Sequence, residues 1–80
     1  MSALFEKLEE EMSALGDKFV HLKDEFRQTG DEEPLIQLDD ELLRFRDEAM
    51  RLEDYSERLE AINFVTTVRN MISCLIRTAF

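Results

Sequence analysis

Thr29-Gly30-Asp31-Glu32-Glu33-Pro34 is the only strong helix breaker in this chain of 80 residues. Gly30 suits the left-handed conformation that closes a helix, and Pro34 suits the first turn of the next one. No glycine or proline follows Pro34. The sequence therefore predicts a first helix over about residues 3–28, a turn over 29–34 and a long second helix over about 35–78, all in one domain.

Apolar residues on both sides of this turn recur at the alternating four- and three-residue spacing of a coiled-coil seam. In the first helix they are Leu8, Met12, Leu15, Phe19, Leu22 and Phe26. In the second helix the row is Leu38, Leu42, Phe45, Ala49, Leu52, Ser56 and Leu59. The predicted fold class is all-α: an antiparallel, coiled-coil-like two-helix hairpin with a longer second helix.

The end of the predicted second helix overhangs the hairpin. A helix of roughly 45 residues spans about 67 Å, whereas the first helix spans about 39 Å. Charge changes at the same place: residues 1–60 carry 8 basic and 19 acidic residues (8 − 19 = −11), and residues 61–80 add only two arginines, giving −9. An apolar, acid-free overhang predicts a docking segment that is completed by oligomerisation or by a helical partner.

We predict the partner-binding residues within this docking segment, residues 61–80. They are Phe64, Val65, Val68, Met71, Ile72, Leu75, Ile76 and Phe80. Burial of five or six such side chains contributes ~10 kcal/mol before entropy costs. The predicted function is a non-enzymatic interaction or assembly module that buries this helix in a homo-oligomer or a hetero-complex.

Two other arrangements stay open. A break near Thr66-Thr67, in a β-branched run, would fold the end of the chain back and give a self-contained three-helix bundle adaptor. Alternatively, Arg69 and Arg77 would attach the apolar end to a membrane surface. Two positive charges are few for such an anchor, and anionic lipid repels an acidic body, so membrane binding is disfavoured.

Composition and motifs argue against several function classes. A net charge of −9 disfavours binding to nucleic-acid phosphates. His21 and Cys74 have no partners at the spacing of a metal site or a catalytic pair. Neither a phosphate-binding loop nor a nucleophile elbow is present, and a helical hairpin offers no deep pocket. We therefore predict no enzyme activity, no metal, no cofactor and no small-molecule substrate.

Three stretches carry a family resemblance: the turn at Pro34, the element Leu52-Glu53-Asp54-Tyr55-Ser56 and the apolar end Met71-Ile72-Ser73-Cys74-Leu75-Ile76-Arg77. Together, over roughly residues 26–80, they resemble the needle and inner-rod subunits of bacterial type III secretion systems. Small helical-hairpin co-chaperones of the same systems are similar in length and plan. The resemblance implies a hairpin whose C-terminal helix is chaperoned and then packs into a polymer.

Cysteine use and the first residues bear on localisation. A single cysteine leaves no internal disulfide and fits a reducing compartment. The chain turns acidic at Glu6, unlike a secretory signal, and residues 61–80 are too short and polar for a membrane span. The predicted localisation is cytoplasmic, and the resemblance implies export by a type III system.

Overall fold

The chain forms three helices in a computed structural model, which describes residues 3–78. They are α1 (Ala3–Thr29), α2 (Glu33–Ala49) and α3 (Tyr55–Thr78), and each packs against the other two. The longest dimension is 41 Å, well below the length of the predicted second helix. The two-helix hairpin is therefore wrong, because the helix predicted over 35–78 is interrupted at residues 50–54.

Local hydrogen bonds close the turn between α1 and α2. Gly30 has a φ of 73°, which a residue with a Cβ rarely adopts, and its N–H donates to the Phe26 carbonyl at 2.8 Å. The Asp31 carboxylate accepts from the Glu33 N–H at 3.1 Å. Pro34 lies in the first turn of α2, where its missing N–H costs nothing. This turn makes α1 and α2 antiparallel neighbours.

A second bend, at residues 50–54, separates α2 from α3. The Asp54 carboxylate accepts from the Glu57 N–H at 3.0 Å, which satisfies a free donor at the start of α3 as a helix N-cap does. The Arg58 guanidinium donates to the Leu52 carbonyl at 3.0 Å. Leu52 itself is buried. The chain therefore turns back here without any glycine or proline.

The core lies between the three helices and is entirely apolar among the described residues. Its members are Phe5, Leu8, Phe19 and Phe26 of α1; Leu35, Leu38, Leu42, Phe45 and Ala49 of α2; Leu52 of the bend; and Ala61, Val65, Val68 and Ile72 of α3. Residues 61–78 thus lie along the bundle and do not overhang it.

The alternative of a self-contained three-helix bundle describes this architecture, but its break was placed wrongly. Thr66 and Thr67 lie inside α3 as exposed helical residues. β-branching lowers helix propensity only slightly. Burial of Val65 and Val68 on either side of the two threonines outweighs that cost.

Candidate protein-binding surfaces

The structure places the predicted partner-binding residues mostly in the core of the chain itself. Val65, Val68 and Ile72 are buried against α1 and α2, with exposed fractions of 1%, 5% and 3%. Partly buried and packed against that core are Phe64, Leu75 and Ile76. Met71 is 41% exposed, and Phe80 lies outside the described residues. The docking role stays a prediction, and within the folded bundle only part of its surface is accessible.

An ion pair fixes α3 against α2. Asp39 and Arg69 form two hydrogen bonds, from Nε to Oδ1 at 2.8 Å and from Nη2 to Oδ2 at 3.3 Å. The hydrogen bond with Asp39 raises the pKa of Arg69 above its ordinary value, although partial desolvation opposes the shift. A bidentate pair of this kind sets the register of two helices as well as their distance.

A groove of about 390 Å³ runs beside this ion pair on the α2–α3 face. Ile36 and Ile76 supply apolar surface, and Thr66, Asn70 and Ser73 of α3 supply polar groups. Two arginines line it: Arg69 is already bonded to Asp39, and Arg46 forms no ion pair within residues 3–78. An acidic ligand would meet the Asp39 carboxylate beside these two cations, so this groove suits carboxylate recognition less well than a groove without an acidic lining residue.

The α1–α2 face is acidic at its groove. Glu11, Glu41 and Glu48 line it, and the last two form ion pairs across the helices, with Lys18 at 2.6 Å and Lys7 at 3.0 Å. The hydrogen bond to Glu48 raises the pKa of Lys7, and the negative charge of Glu48 adds a smaller contribution in the same direction. These lysines are exposed, and such pairs stabilise a protein by at most about 1 kcal/mol each.

The third groove lies between the C-terminal halves of α1 and α3, and we call it the α1–α3 groove. Two adjoining clefts of about 330 and 400 Å³ form it. Its apolar lining is Phe19, Phe26, Met71 and Leu75; its remaining lining residues are Lys23, Arg27, Gly30, Cys74 and Thr78. Met71 and Leu75 belong to the predicted docking segment, so part of that prediction falls on this open surface.

The α1–α3 groove has a charge opposite to that of the rest of the molecule. Its lining includes two basic residues, Lys23 and Arg27, and no acidic one, in a chain with 19 acidic and 10 basic residues. The Lys23 ammonium lies over the Phe19 ring, 6.0 Å from its centroid. Within residues 3–78 the Arg27 side chain forms no ion pair or hydrogen bond. Both cations are therefore available to a ligand.

Sequence reasoning missed Lys23 and Arg27 as binding residues. The pattern of the first helix indicates only one half of a coiled-coil seam, and the apolar, acid-free pattern that predicts a binding surface lies in residues 61–80. One signal was present, because Lys23 and Arg27 are four residues apart and flank the seam residue Phe26. Residues at that spacing share a helix face.

The described part of the chain offers little other chemistry. No group of three or more His, Cys, Asp or Glu residues within 3–78 is arranged to hold a metal ion. His21 and Cys74 are both exposed. Across the same residues no helix is both long and apolar enough to traverse a bilayer.

Comparisons with known proteins add no relative. No protein-family model matches the chain, and neither the curated proteins nor the solved structures contain a match.

Proposed function

We propose that this protein is a small, non-catalytic adaptor that binds an acidic, apolar segment of a partner protein in the α1–α3 groove. The observation that supports this proposal is an apolar groove whose lining has two cations without an ion pair in residues 3–78 and no acidic residue, on a protein of net charge −9. The partner's apolar side chains would pack on Met71 and Leu75, and its carboxylates would pair with Lys23 and Arg27.

The shape of the groove favours a peptide over a small metabolite. It is an open channel between two helices, and its two clefts share Arg27, Leu75 and Thr78. Small-molecule sites are concave and enclose most of their ligand. Grooves between helices instead accept an amphipathic segment through a few apolar anchors.

Of the three grooves, the α1–α3 groove is the one with basic lining residues and no acidic lining residue, and this charge pattern favours an acidic partner there. The α1–α2 groove is lined by three glutamates and one arginine, Arg44; Lys7 and Lys18 pair with two of the glutamates, but the glutamates still oppose the approach of a carboxylate. Arg27 can bind a carboxylate through two parallel hydrogen bonds, and the aliphatic parts of both cations extend the apolar surface. Electrostatic complementarity of this kind fixes orientation and partner choice more than raw affinity.

The proposal replaces the docking of the whole C-terminal helix in a partner. That prediction required residues 61–80 to be uncovered, whereas Val65, Val68 and Ile72 are buried in this chain. The resemblance to type III secretion subunits stays a prediction, and the long second helix that it implied is interrupted at residues 50–54. A co-chaperone role for a small helical adaptor is compatible with the groove but is not needed for the proposal.

A library of displayed short peptides, sorted on the parent protein, tests the proposed ligand class. We expect the selected peptides to combine large apolar residues with Asp or Glu. Their binding should weaken with added salt, because Arg27 is exposed and Lys23 is only partly buried, so that salt screens both charges. Bound peptide should also slow alkylation of Cys74, the single cysteine, which lines the groove. Selection of basic peptides, or of peptides that leave the alkylation rate of Cys74 unchanged, would contradict the proposal.

Met71→Glu is expected to weaken peptide binding at least tenfold, because it adds a carboxylate to the groove and removes an apolar contact; tenfold corresponds to about 1.4 kcal/mol. Leu59→Glu is the matched control. Leu59 lies on the same helix, has nearly the same exposure (42% against 41%) and does not line the groove. Titration by fluorescence anisotropy measures both. Equal losses for the two variants would place the binding surface elsewhere.

Arg27→Glu separates charge recognition from simple apolar contact. We expect this variant to bind the acidic peptides about tenfold more weakly than the parent does. Replacement of a peptide Asp or Glu by Lys should restore part of that affinity. If Arg27→Glu binds acidic peptides as tightly as the parent does, the groove binds through its apolar floor alone.

Anionic lipid is the rival ligand for an apolar, cationic groove. Two cations are few for electrostatic membrane attachment, and each contributes about 1 kcal/mol near a charged surface. We expect the parent protein not to float with vesicles of phosphatidylserine and phosphatidylcholine at low salt. Flotation that is abolished by Met71→Glu would replace the peptide with a membrane as the partner.

A further inference from the structure

The two helices that form the α1–α3 groove run in the same direction. α1 and α2 are antiparallel, and so are α2 and α3, because Asp39 of α2 meets Arg69 of α3 while the later residue Phe45 meets the earlier residue Phe64. The Asp39 Oδ1 and Arg69 Nε atoms are 2.8 Å apart, and the two ring centroids are 6.2 Å apart. The C-terminal ends of α1 and α3 therefore lie at the same end of the bundle.

Charge divides this parallel pair of helices into two halves. The C-terminal halves, residues 18–29 and 67–78, hold five basic and two acidic residues (5 − 2 = +3). The N-terminal halves, residues 3–17 and 55–66, hold two basic and seven acidic residues (2 − 7 = −5). The α1–α3 groove lies in the basic half. A ligand long enough to extend beyond the groove therefore meets opposite charges at its two ends.

The groove offers no backbone partner to an extended peptide. Residues 3–78 contain no β-strand, and the main-chain groups along α1 and α3 are bonded within their own helices. An extended segment would leave its own N–H and C=O groups unpaired against the apolar lining, whereas a helix bonds them internally. The groove follows α1 from Phe19 to Gly30, a length of about 16 Å or three helical turns. This shape and length suit a helix.

Helix dipoles and side-chain charges favour the same direction for a bound helix. The last carbonyls of α1 and α3 carry partial negative charge, whereas the first N–H groups of an incoming helix carry partial positive charge. Asp and Glu also stabilise a helix when they lie in its first turn. A helix antiparallel to α1 and α3 places such a turn beside Lys23 and Arg27, so the dipoles and the ion pairs are satisfied together.

We propose that the partner segment binds as an amphipathic α-helix antiparallel to α1 and α3, with acidic residues in its first turns and basic residues in its later turns. This inference rests on the proposed function and adds the conformation, direction and charge order of the partner. The bound helix lies on the side of α1 and α3 away from α2, because no α2 residue lines the groove. The four helices then alternate in direction, as in an up-down-up-down bundle.

The lining residues set the spacing of the partner's side chains. Lys23 and Arg27 are about one helical turn apart on α1, and Met71 and Leu75 are about one turn apart on α3. Carboxylates three or four residues apart on the partner can face both cations, and apolar residues at the same spacing can face Met71 and Leu75. The partner helix therefore begins with two acidic residues one turn apart, beside an apolar stripe.

Two designed peptides of about 18 residues, or five turns, test the direction. Both have the same stripe of leucines at three- and four-residue spacing. The first has glutamates in its first half and lysines in its second half, and the other has these charges exchanged. A hydrocarbon cross-link on the face away from the leucines holds both peptides helical, so a difference in affinity does not report helix formation. We expect the glutamate-first peptide to bind at least tenfold more tightly by fluorescence anisotropy, or about 1.4 kcal/mol.

Arg27→Glu should reduce this preference to less than about threefold, because it removes one of the two cations and adds a carboxylate. Arg44→Glu is the matched control. Arg44 is also exposed, but it lines the α1–α2 groove, so its substitution should leave the preference unchanged.

A nitroxide on the first residue of the glutamate-first peptide measures the direction itself. We expect the NMR signals of the Gly30 and Thr78 amides to broaden more than those of Met12 and Asn63, which lie further toward the N-terminal ends of α1 and α3. A nitroxide on the last residue of the peptide should give the reverse pattern.

Equal affinity of the two peptides, tighter binding of the lysine-first peptide, or a reversed broadening pattern would each overturn the inference. It would also be overturned if neither designed peptide binds while the displayed library still yields acidic, apolar peptides that protect Cys74. In each of these cases the proposed function stands. If the library yields no such peptides either, the proposed function fails with the inference.

Discussion

Val65→Asp is expected to unfold the protein at 25 °C. Val65 is 1% exposed at the centre of the core, and all buried residues of the described chain are apolar, so nothing there can pair with a carboxylate. Burying an unpaired charge costs several kcal/mol, and the lost burial of valine adds about 1.5–3 kcal/mol. The sum is comparable with the whole unfolding free energy of a small domain, about 5–15 kcal/mol.

Circular dichroism during urea titration measures this effect, and Thr67→Asp is its matched control. Thr67 lies two residues away on the same helix and is exposed. Its helix propensity is close to that of aspartate, so the control should stay within about 0.5 kcal/mol of the parent. A cooperative transition of Val65→Asp at the parent's midpoint would mean that α3 does not pack as the structure has it.

Removal of α3 is expected to abolish the fold of the remaining helices. A fragment that ends at Asp54 keeps all of α1 and α2, yet it uncovers the side of Phe45 that contacts Phe64 of α3, whose ring centroid lies 6.2 Å away. An isolated pair of helices has too little buried apolar area to offset the entropy of ordering its backbone, about 1–2 kcal/mol per residue. We expect the helical signal of the fragment to fall to that of a mostly unfolded chain.

This truncation separates the observed bundle from the two-helix hairpin that the sequence predicts. The hairpin seam runs between the first helix and the first half of the second, so it would survive loss of residues 55–80 with a cooperative thermal transition. Addition of a separate peptide of residues 55–80 should restore helicity in the bundle, because its core residues Ala61, Val65, Val68 and Ile72 refill the gap. A cooperatively folded fragment, indifferent to the peptide, would contradict the bundle.

The candidate site was predictable only in part. The apolar character of residues 61–80 predicts Met71 and Leu75 as partner-binding residues, and both line the groove. Nothing in the sequence predicts Lys23 and Arg27 as binding residues, because a helix pattern shows which residues share a face but not which second helix packs beside that face. Val65, Val68 and Ile72 have the same apolar character as Met71. The sequence alone does not distinguish apolar residues that pack in the core of the chain from apolar residues that bind a partner.

The sequence by itself determined where the first turn lies and which residues of α2 face inward, whereas Ser56 and Leu59, the last two residues of the predicted seam, are exposed on α3. Gly30 and Pro34 act through their own backbone geometry, which needs no neighbour, and the four- and three-residue spacing assigns Leu38, Leu42 and Phe45 to one helix side. Only the tertiary structure decided that the chain bends again at residues 50–54. No residue there forbids a helix, so the cost of the bend is small and local. The cost of the bend is outweighed because α3, once folded back, buries Val65, Val68 and Ile72 in the core between the three helices.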